Sequence, residues 1–291
     1  MKIAVITPAY NEENYIQRTL ESVTRQTLKP DCWMIVDDGS TDTTLDLVTP
    51  FQKSNPWIQT KRRPKKFGHE AGAAVVRAFH YGLERLPFQD FDIIFKLDAD
   101  LTLPENYFER VVEEYAGNTN LGMCGGICVI KDSRGYIYEP ISDTDHLRGA
   151  VKSYRSACFE QIGKVRAVYG WDTLDELLAL YNGWEVKVLP ELRVIHHRRT
   201  HTESKSLKIY LKTGRSFHIM GYGTVLAFIS SLKQIAMPPK VLSSVFMVAG
   251  YLGAWVSNQP KAVSPEEGRF IRSYRFKRAI KRVKRTFTPG V

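Results

Sequence analysis

A doubly wound α/β fold with a mostly parallel sheet is predicted by three observations. Apolar strand-like runs alternate with amphipathic helical segments, clustered acids fall in the connections between them, and hydrophobic residues make up 43% of 291 positions. A chain of this length can bury a full core. Lys2-Ile-Ala-Val-Ile-Thr7 reads as the first strand. It is too short for the apolar centre of a secretion signal, so a cytoplasmic location is expected. Asn11 is expected to cap a helix whose Ile16, Leu20 and Val23 share one face. Residues 32–36, Cys-Trp-Met-Ile-Val, form a second apolar run. Strand, helix and buried strand make a βαβ unit with a right-handed crossover. A helix from about 42, an extended stretch at 57–62 and a helix from about 69, with Ala73, Val76, Phe79 and Leu83 on one side, continue the pattern. Asp92-Ile-Ile-Phe-Lys-Leu-Asp98 is the next strand, and Pro104 suits the first turn of a helix. Residues 184–198 read as a strand pair ending in His196 and His197.

In such a sheet the ligand sits at the loops that leave the strand C-termini. Three of these loops carry acids: Tyr10-Asn-Glu-Glu13, Asp37-Asp-Gly-Ser-Thr-Asp42 and Asp98-Ala-Asp100. Each alone is compatible with a turn or a helix cap, and together they describe a cleft. Asp98 and Asp100 lie two apart at the end of an extended run, so both carboxylates can reach one cation. Oxygen donors of this kind suit Mg²⁺ or Mn²⁺. The chain has neither Gly-x-x-x-x-Gly-Lys-Ser/Thr nor a Gly-x-Gly-x-x-Gly after its first strand, which disfavours a P-loop nucleotidase and a dinucleotide-binding enzyme.

Thr7-Pro-Ala-Tyr-Asn-Glu-Glu13, Val36-Asp-Asp-Gly-Ser-Thr-Asp42 and Asp98-Ala-Asp100 resemble, in order and spacing, the motifs of family 2 glycosyltransferases with the GT-A fold. The resemblance covers about residues 1–200. It implies a transferase that takes a sugar from a nucleotide-diphosphate donor, with Mg²⁺ or Mn²⁺ as cofactor. It also implies that Pro8, Tyr10, Glu12, Asp37 and Asp38 line the nucleotide pocket and that Asp98 and Asp100 hold the diphosphate through the metal. Arg62 and Arg77 are candidate phosphate contacts. The family's later acidic motif falls on Gly170–Gly183, and counting back from Gly183 places Asp172 on the catalytic aspartate. Trp171 stands where the family has Glu, which weakens the claims of Asp175 and Glu176 more than that of Asp172. The same Asp172 would also serve as a helix cap. As a single base opposite the leaving diphosphate it implies inversion at the anomeric carbon. Similar enzymes place a His near the metal. His196 and His197 point to opposite faces of a strand, so one of them can serve, and the sequence does not choose.

The expected organisation is a catalytic domain at 1–200, a mobile basic linker or acceptor loop at 201–222 and a helical membrane-associating region at 223–291. Arg198, Arg199, His201, Lys205, Lys208, Lys212 and Arg215 make the connection basic. Residues 224–236 and 241–259 are mostly apolar around Pro238 and Pro239, and borderline against the roughly 20 residues a span needs. A hairpin or a partly inserted helical pair keeps the catalytic domain and the basic tail on the same, cytoplasmic side. The alternative is a soluble subdomain or an oligomer interface. The net charge is +10, but nine Lys and Arg and no acid lie between Arg269 and Phe287, so the basicity belongs to the tail. Phe276, Ile280, Val283 and Phe287 recur at helical spacing there, which describes a basic amphipathic helix; its charge alone would also suit nucleic acid, but a sugar-nucleotide cleft upstream makes an anionic bilayer the expected surface. The expected partners are the donor, a lipid-linked acceptor for envelope polysaccharide or glycolipid synthesis, and the inner face of the membrane. Rival readings are a soluble polysaccharide transferase with oligomerising helices and a non-catalytic nucleotide-sugar-binding scaffold. Cys32, Cys124, Cys128 and Cys158 fit no zinc or disulfide framework and read as reduced core thiols.

Overall fold

The computed structural model describes residues 1–64, 72–88, 90–133, 135–139, 145–198, 207–233, 235 and 241–287, with side chains described up to 280. The chain divides into two compact units, Met1–Ala167 with Trp171–Thr200, and Val168–Gly170 with His201–Val291.

The first unit opens with β1 (Ile3–Ala9), α1 (Ile16–Thr24), β2 (Cys32–Asp37), α2 (Thr44–Ser54), β3 (Ile58–Arg62), α3 (Ala73–Leu83) and β4 (Ile93–Leu97). Their strands pair in parallel in the order β3-β2-β1-β4. β2 and β4 are buried throughout, which is why they read as continuous apolar runs. α3 crosses the sheet closely at Gly82, where a Cβ would lie 2.6 Å from Val36 Cγ2 and 2.8 Å from Ile6 Cγ2. The helix read from about 69 begins at Ala73; residues 69–71 lie outside the described residues.

β5 (Leu101–Thr102), α4 (Tyr107–Gly117), β6 (Leu121–Asp132), β7 (Gly135–Tyr138), β8 (Val151–Arg155), α5 (Ser156–Gln161), α6 (Trp171–Tyr181) and β9 (Glu185–His196) complete the unit. Here the sheet departs from the mostly parallel expectation. β8 joins β4 and β6 antiparallel, β9 runs parallel to β6 and antiparallel to β5, and β7 pairs antiparallel with β6. Among the described residues no helix lies between β7 and β8, and a parallel pairing would need a crossover. The full order is β3-β2-β1-β4-β8-β6-β9-β5, with β7 on β6. Trp33, Phe95, Tyr107, Phe108 and Tyr115 fill the core beneath it. The four cysteines are free and buried, and burial pushes the thiols of Cys124, Cys128 and Cys158 up to about 12 and that of Cys32 to about 11.

Three local expectations are corrected. Asn11 does not cap a helix: it adopts a left-handed conformation with φ 54°, and α1 begins only at Ile16. Pro104 precedes α4 by a turn, its carbonyl accepting from Tyr107 N–H at 3.0 Å. The supposed strand pair at 184–198 is one strand, β9, with an irregularity that jumps from Leu189 opposite Gly126 to Arg193 opposite Ile127. Pro190 cannot donate to the ladder, so the strand bulges there. Gly126 admits the bulge, since a Cβ on it would lie 2.2 Å from Leu192 O.

The second unit holds α7 (Leu207–Ile219), α8 (Gly223–Leu232), α9 (Val241–Val256) and α10 (Pro265–Phe287). Residues 207–219, read from sequence as part of a mobile connection, are helical. Arg199, His201, Lys205, Pro238 and Pro239 lie outside the described residues, as do the side chains of Val283 and Phe287. α7 and α9 cross at backbone contact through Gly214 and Gly250, whose Cβ atoms would lie 1.8 Å from Met247 O and 2.1 Å from Leu211 O. Ser244 Oγ–H donates to Ser231 O at 2.7 Å, joining α9 to α8. The other sides of α8 and α9 leave Val225, Phe228, Ile229, Leu232, Val241, Leu242, Val245, Leu252, Trp255 and Val256 exposed. Among the described residues no helix is long and apolar enough to cross a membrane.

Candidate active site

The acidic loops at the C-terminal ends of β1, β2 and β4 open on a cleft of about 680 Å³. Much of the motif chemistry holds loop to loop. Asn11 N–H donates to Ser40 Oγ at 3.0 Å, and its Oδ1 accepts Thr41 N–H at 2.8 Å. Glu12 N–H donates to Thr44 Oγ1 at 2.8 Å. The Asp98–Asp100 loop is clasped by buried Thr19 on α1. Its hydroxyl faces Ala99 O at 2.7 Å and Leu101 O at 2.8 Å and accepts Leu101 N–H at 2.9 Å.

One ligand atom from each of Asp98, Asp100 and His196 lies within 4.8 Å of the others. Pairing of β5 with β9 puts His196 opposite Leu101, directly after the acidic loop. His196 Nε2 stands 3.5 Å from Asp100 Oδ2, while Nδ1 lies 3.0 Å from buried Glu139 Oε2. Glu139 also holds Arg148 Nη2 at 3.0 Å. A carboxylate on Nδ1 orients the ring, so that Nε2, once it gives up its proton, would face a cation. Two carboxylates and one imidazole at this separation fit a divalent ion. Burial opposes a charge on His196, but Asp100 and Glu139 outweigh it and raise its pKa to about 9. Burial likewise opposes ionisation of Asp100, yet His196 and Arg198 hold its carboxyl below the usual carboxylate range.

Basic side chains attend the other acids. Lys96 Nζ donates to Asp98 and, at 2.7 Å, to Gly149 O. Arg63 Nε donates to Asp38 Oδ1 at 2.6 Å. Arg198 donates to Glu12 and, from Nε, to Asp100 Oδ2 at 3.2 Å. Burial, with Asp100 and Asp98 nearby, pushes Glu12 up to about 7 against the pull of Arg198, and its Oε2 is buried without a hydrogen-bond partner.

Across the cleft, the first turn of α6 presents Asp172, its side chain one-third exposed, beside Trp171. His146 bridges two acids, with Nε2 3.6 Å from Asp172 Oδ2 and Nδ1 2.9 Å from Glu176 Oε1. Burial opposes the Asp172 charge, but His146 and Lys152 lower its pKa to about 2. Asp175 and Glu176 are buried around Lys152, at 2.7 and 3.4 Å, and Tyr154 O–H donates to Asp175 at 2.6 Å. These two acids neutralise a buried lysine, and Asp172 alone of the three lines the cleft.

Pro8, Tyr10, Glu12, Asp38, Arg77, Asp98, Asp100, Asp172 and His196 all line the cleft, and Asp37, Arg62 and His197 do not. Asp37 is fully buried, accepting Ser40 N–H at 2.8 Å and pairing with Arg62 at 3.2 Å. Arg62 lies opposite Asp37 in the ladder and is spent there; Arg63 enters the cleft instead. His197 points the other way, its Nε2 2.8 Å from Thr102 Oγ1 and its Nδ1 3.2 Å from Arg18. Sequence reasoning missed Arg63, Lys96, Glu139, His146 and Arg148 as site residues, and read Arg198 only as one of the cations of the basic connection. Lys96 carries a signal, a lone cation in an apolar strand that ends just before Asp98. Glu139 and His146 carry none, because they fall in a connection without periodicity.

Residues 4–166 match the family described as Glycosyl transferase family 2. Validoxylamine A glucosyltransferase of Streptomyces hygroscopicus subsp. limoneus is 28% identical over 156 residues, 52% of this chain and 30% of that protein. The chain thus spans less than a third of that relative. The mannosyltransferase PcManGT from Pyrobaculum calidifontis, solved with GDP-Man and Mn²⁺, superposes with TM-score 0.57 at 15% identity, covering 94% of this chain and 80% of that one. S. aureus TarS residues 1–349 with UDP-GlcNAc gives TM-score 0.56 at 16% identity, covering 88% of this chain and 73% of that one. These likenesses establish the GT-A fold.

Proposed function

The chain belongs to glycosyltransferase family 2, and from that premise we propose that it transfers a sugar, with inversion, from a nucleotide-diphosphate donor to an acceptor hydroxyl or phosphate. The observation that carries this reading is one cleft with Asp98, Asp100 and His196 on one wall and Asp172 on another. Asp98, Asp100 and His196 would hold Mg²⁺ or Mn²⁺, and the imidazole donor favours Mn²⁺. Such an ion neutralises the charge of the departing diphosphate. Pro8, Tyr10, Glu12 and Asp38 would receive the nucleoside, with Asp38 oriented by Arg63, and Arg77 is a phosphate contact. Asp172 takes the acceptor's proton; its pKa near 2 keeps it ionised and ready to accept at neutral pH. A weak base gains little driving force, so alignment of acceptor and anomeric carbon carries more of the acceleration.

Titration calorimetry of the full chain with UDP and GDP, with and without Mn²⁺, tests the donor site. Metal-dependent binding that is lost in Asp98→Ala and Asp100→Ala is expected; no binding of either nucleotide would overturn the reading.

For the acceptor, the exposed apolar sides of α8 and α9 and the cations of α10 belong to one unit and match an anionic bilayer surface. This supports a lipid-linked acceptor at the inner face of the membrane. Flotation with phosphatidylglycerol vesicles but not phosphatidylcholine vesicles, lost in Phe228→Ser/Trp255→Ser, is expected. A chain that ignores both vesicles and runs as an oligomer would assign these helices to self-association.

A further inference from the structure

Arg198 stands on the carboxylates that a metal and a donor would need. It follows β9 by two residues and, like His196, lines the cleft. Its Nε lies 3.2 Å from Asp100 Oδ2, the oxygen that His196 Nε2 faces at 3.5 Å. Its Nη2 donates to Glu12 Oε1, and its guanidinium lies 5.7 Å from the centre of the Tyr15 ring.

The two buried lysines at the cleft are differently placed. The side chains of Lys96 and Lys152 are 4% and 0% exposed, and each is also tied to a main-chain carbonyl, Gly149 O or Asp172 O. That of Arg198 is 49% exposed, and it donates to the carboxylates of Asp100 and Glu12. Its own charge can swing into solvent, and the carboxylate it leaves at Asp100 is the one an arriving cation would neutralise.

We propose that Arg198 is an exchangeable counter-ion: it neutralises Asp100 and Glu12 while the metal is absent, gives up Asp100 Oδ2 when a divalent ion binds, and turns its fork to the donor's diphosphate. This rests on the metal site proposed above. Arg198 holds the Asp100 oxygen that faces His196, so a divalent ion held by Asp98, Asp100 and His196 would meet the guanidinium on the same carboxylate, where two cations repel. The released guanidinium matches a diphosphate in shape and charge, because paired N–H groups bond phosphate oxygens side by side. Arg198 therefore opposes metal binding before the donor arrives and favours it afterwards, a coupling whose sign the nucleotide reverses.

Mn²⁺ binding to the full chain, read from loss of the free-ion electron paramagnetic resonance signal, separates the possibilities without turnover. In Arg198→Gln, Mn²⁺ alone should bind about tenfold more tightly than in the parent, while UDP or GDP in saturating Mn²⁺ should bind about tenfold more weakly. Arg198→Lys, which keeps the charge and loses the fork, should hold Mn²⁺ affinity near the parent value and still weaken the nucleotide. Equal or weaker Mn²⁺ affinity in Arg198→Gln overturns the exchange and leaves Arg198 a fixed clamp. If the parent binds no Mn²⁺ while His196→Ala is equally silent, the metal site itself fails, and the exchange with it.

Discussion

Gly149→Ala puts the geometry of the cleft to a direct test. A Cβ built on Gly149 would lie 2.9 Å from Trp171 Cζ2, 3.0 Å from Trp171 Cη2 and 3.1 Å from Asp172 Cβ. Carbon atoms in contact prefer about 3.5–4.0 Å, so ring and carboxylate must retreat by roughly 0.5–1 Å. The ring has little room, being 7% exposed, with Lys96 Nζ 5.4 Å and Lys152 Nζ 5.6 Å from its centre. Overpacking of this kind costs about 1–3 kcal/mol of stability, and a displacement of about 1 Å at a reacting group costs up to about 100-fold in rate. Transfer kinetics and thermal unfolding should therefore show kcat down about 10- to 100-fold, a lower Tm, and Mn²⁺-dependent nucleotide binding within about twofold of the parent. Gly117→Ala at the end of α4, where a Cβ meets nothing within 4 Å, is the control. Full activity in Gly149→Ala would mean that the placement of Trp171 and Asp172 does not limit the reaction, and the role given to Asp172 would fall.

Asp172→Asn should lower kcat by about 10²- to 10⁴-fold while donor binding by calorimetry stays unchanged, and an unaltered rate removes the base. Glu139→Gln breaks the carboxylate that orients His196, so Mn²⁺ affinity should fall about 10- to 100-fold by titration. His146 carries a folded-state pKa of about 9, against the 6.5 of an unstrained imidazole. A raised pKa means that the folded state binds the proton more tightly, so the stabilisation is complete below about pH 6.5 and disappears as pH climbs to about 9. The shift bounds it at about 3 kcal/mol. Denaturant unfolding should show that decline in the parent and flatten it in His146→Asn; parallel curves would detach His146 from the effect.

The parallel half of the sheet was legible because β2 and β4 are buried on both faces and carry no alternation to confuse with a helix. The antiparallel half was not, since β8 is placed by partners far away in the chain, Ile93 opposite Arg155 and Met123 opposite Tyr154. The same distinction runs through the site. Asp98, Asp100 and Glu12 stand in local motifs with fixed spacing and could be read directly. The choice of His196 over His197 depends on which one the β5–β9 register turns inward, and strand alternation alone leaves that open. Arg62 and Arg63 were likewise separated only by pairing, because the ladder spends Arg62 on Asp37. Glu139 and His146 act through side-chain contacts made across 57 and 30 residues of sequence, to His196 and Glu176, and nothing local announces them.

The charge pattern of the cleft follows from the same architecture. The loops after β1, β2 and β4 and the first turn of α6 bring Glu12, Asp38, Asp98, Asp100 and Asp172 into a single cavity, where their mutual repulsion would raise every pKa and weaken the fold. The chain meets this with cations of its own: Arg63 on Asp38, Lys96 on Asp98, His196 and Arg198 on Asp100, His146 on Asp172. Buried lysines anchored to carbonyls make part of that compensation permanent, and they set the field in which Asp172 stays ionised. A half-exposed arginine makes another part removable. A cleft balanced in this way can fold without its ligands and still offer them net attraction, because an arriving cation and diphosphate replace the removable charge and leave the permanent ones in place.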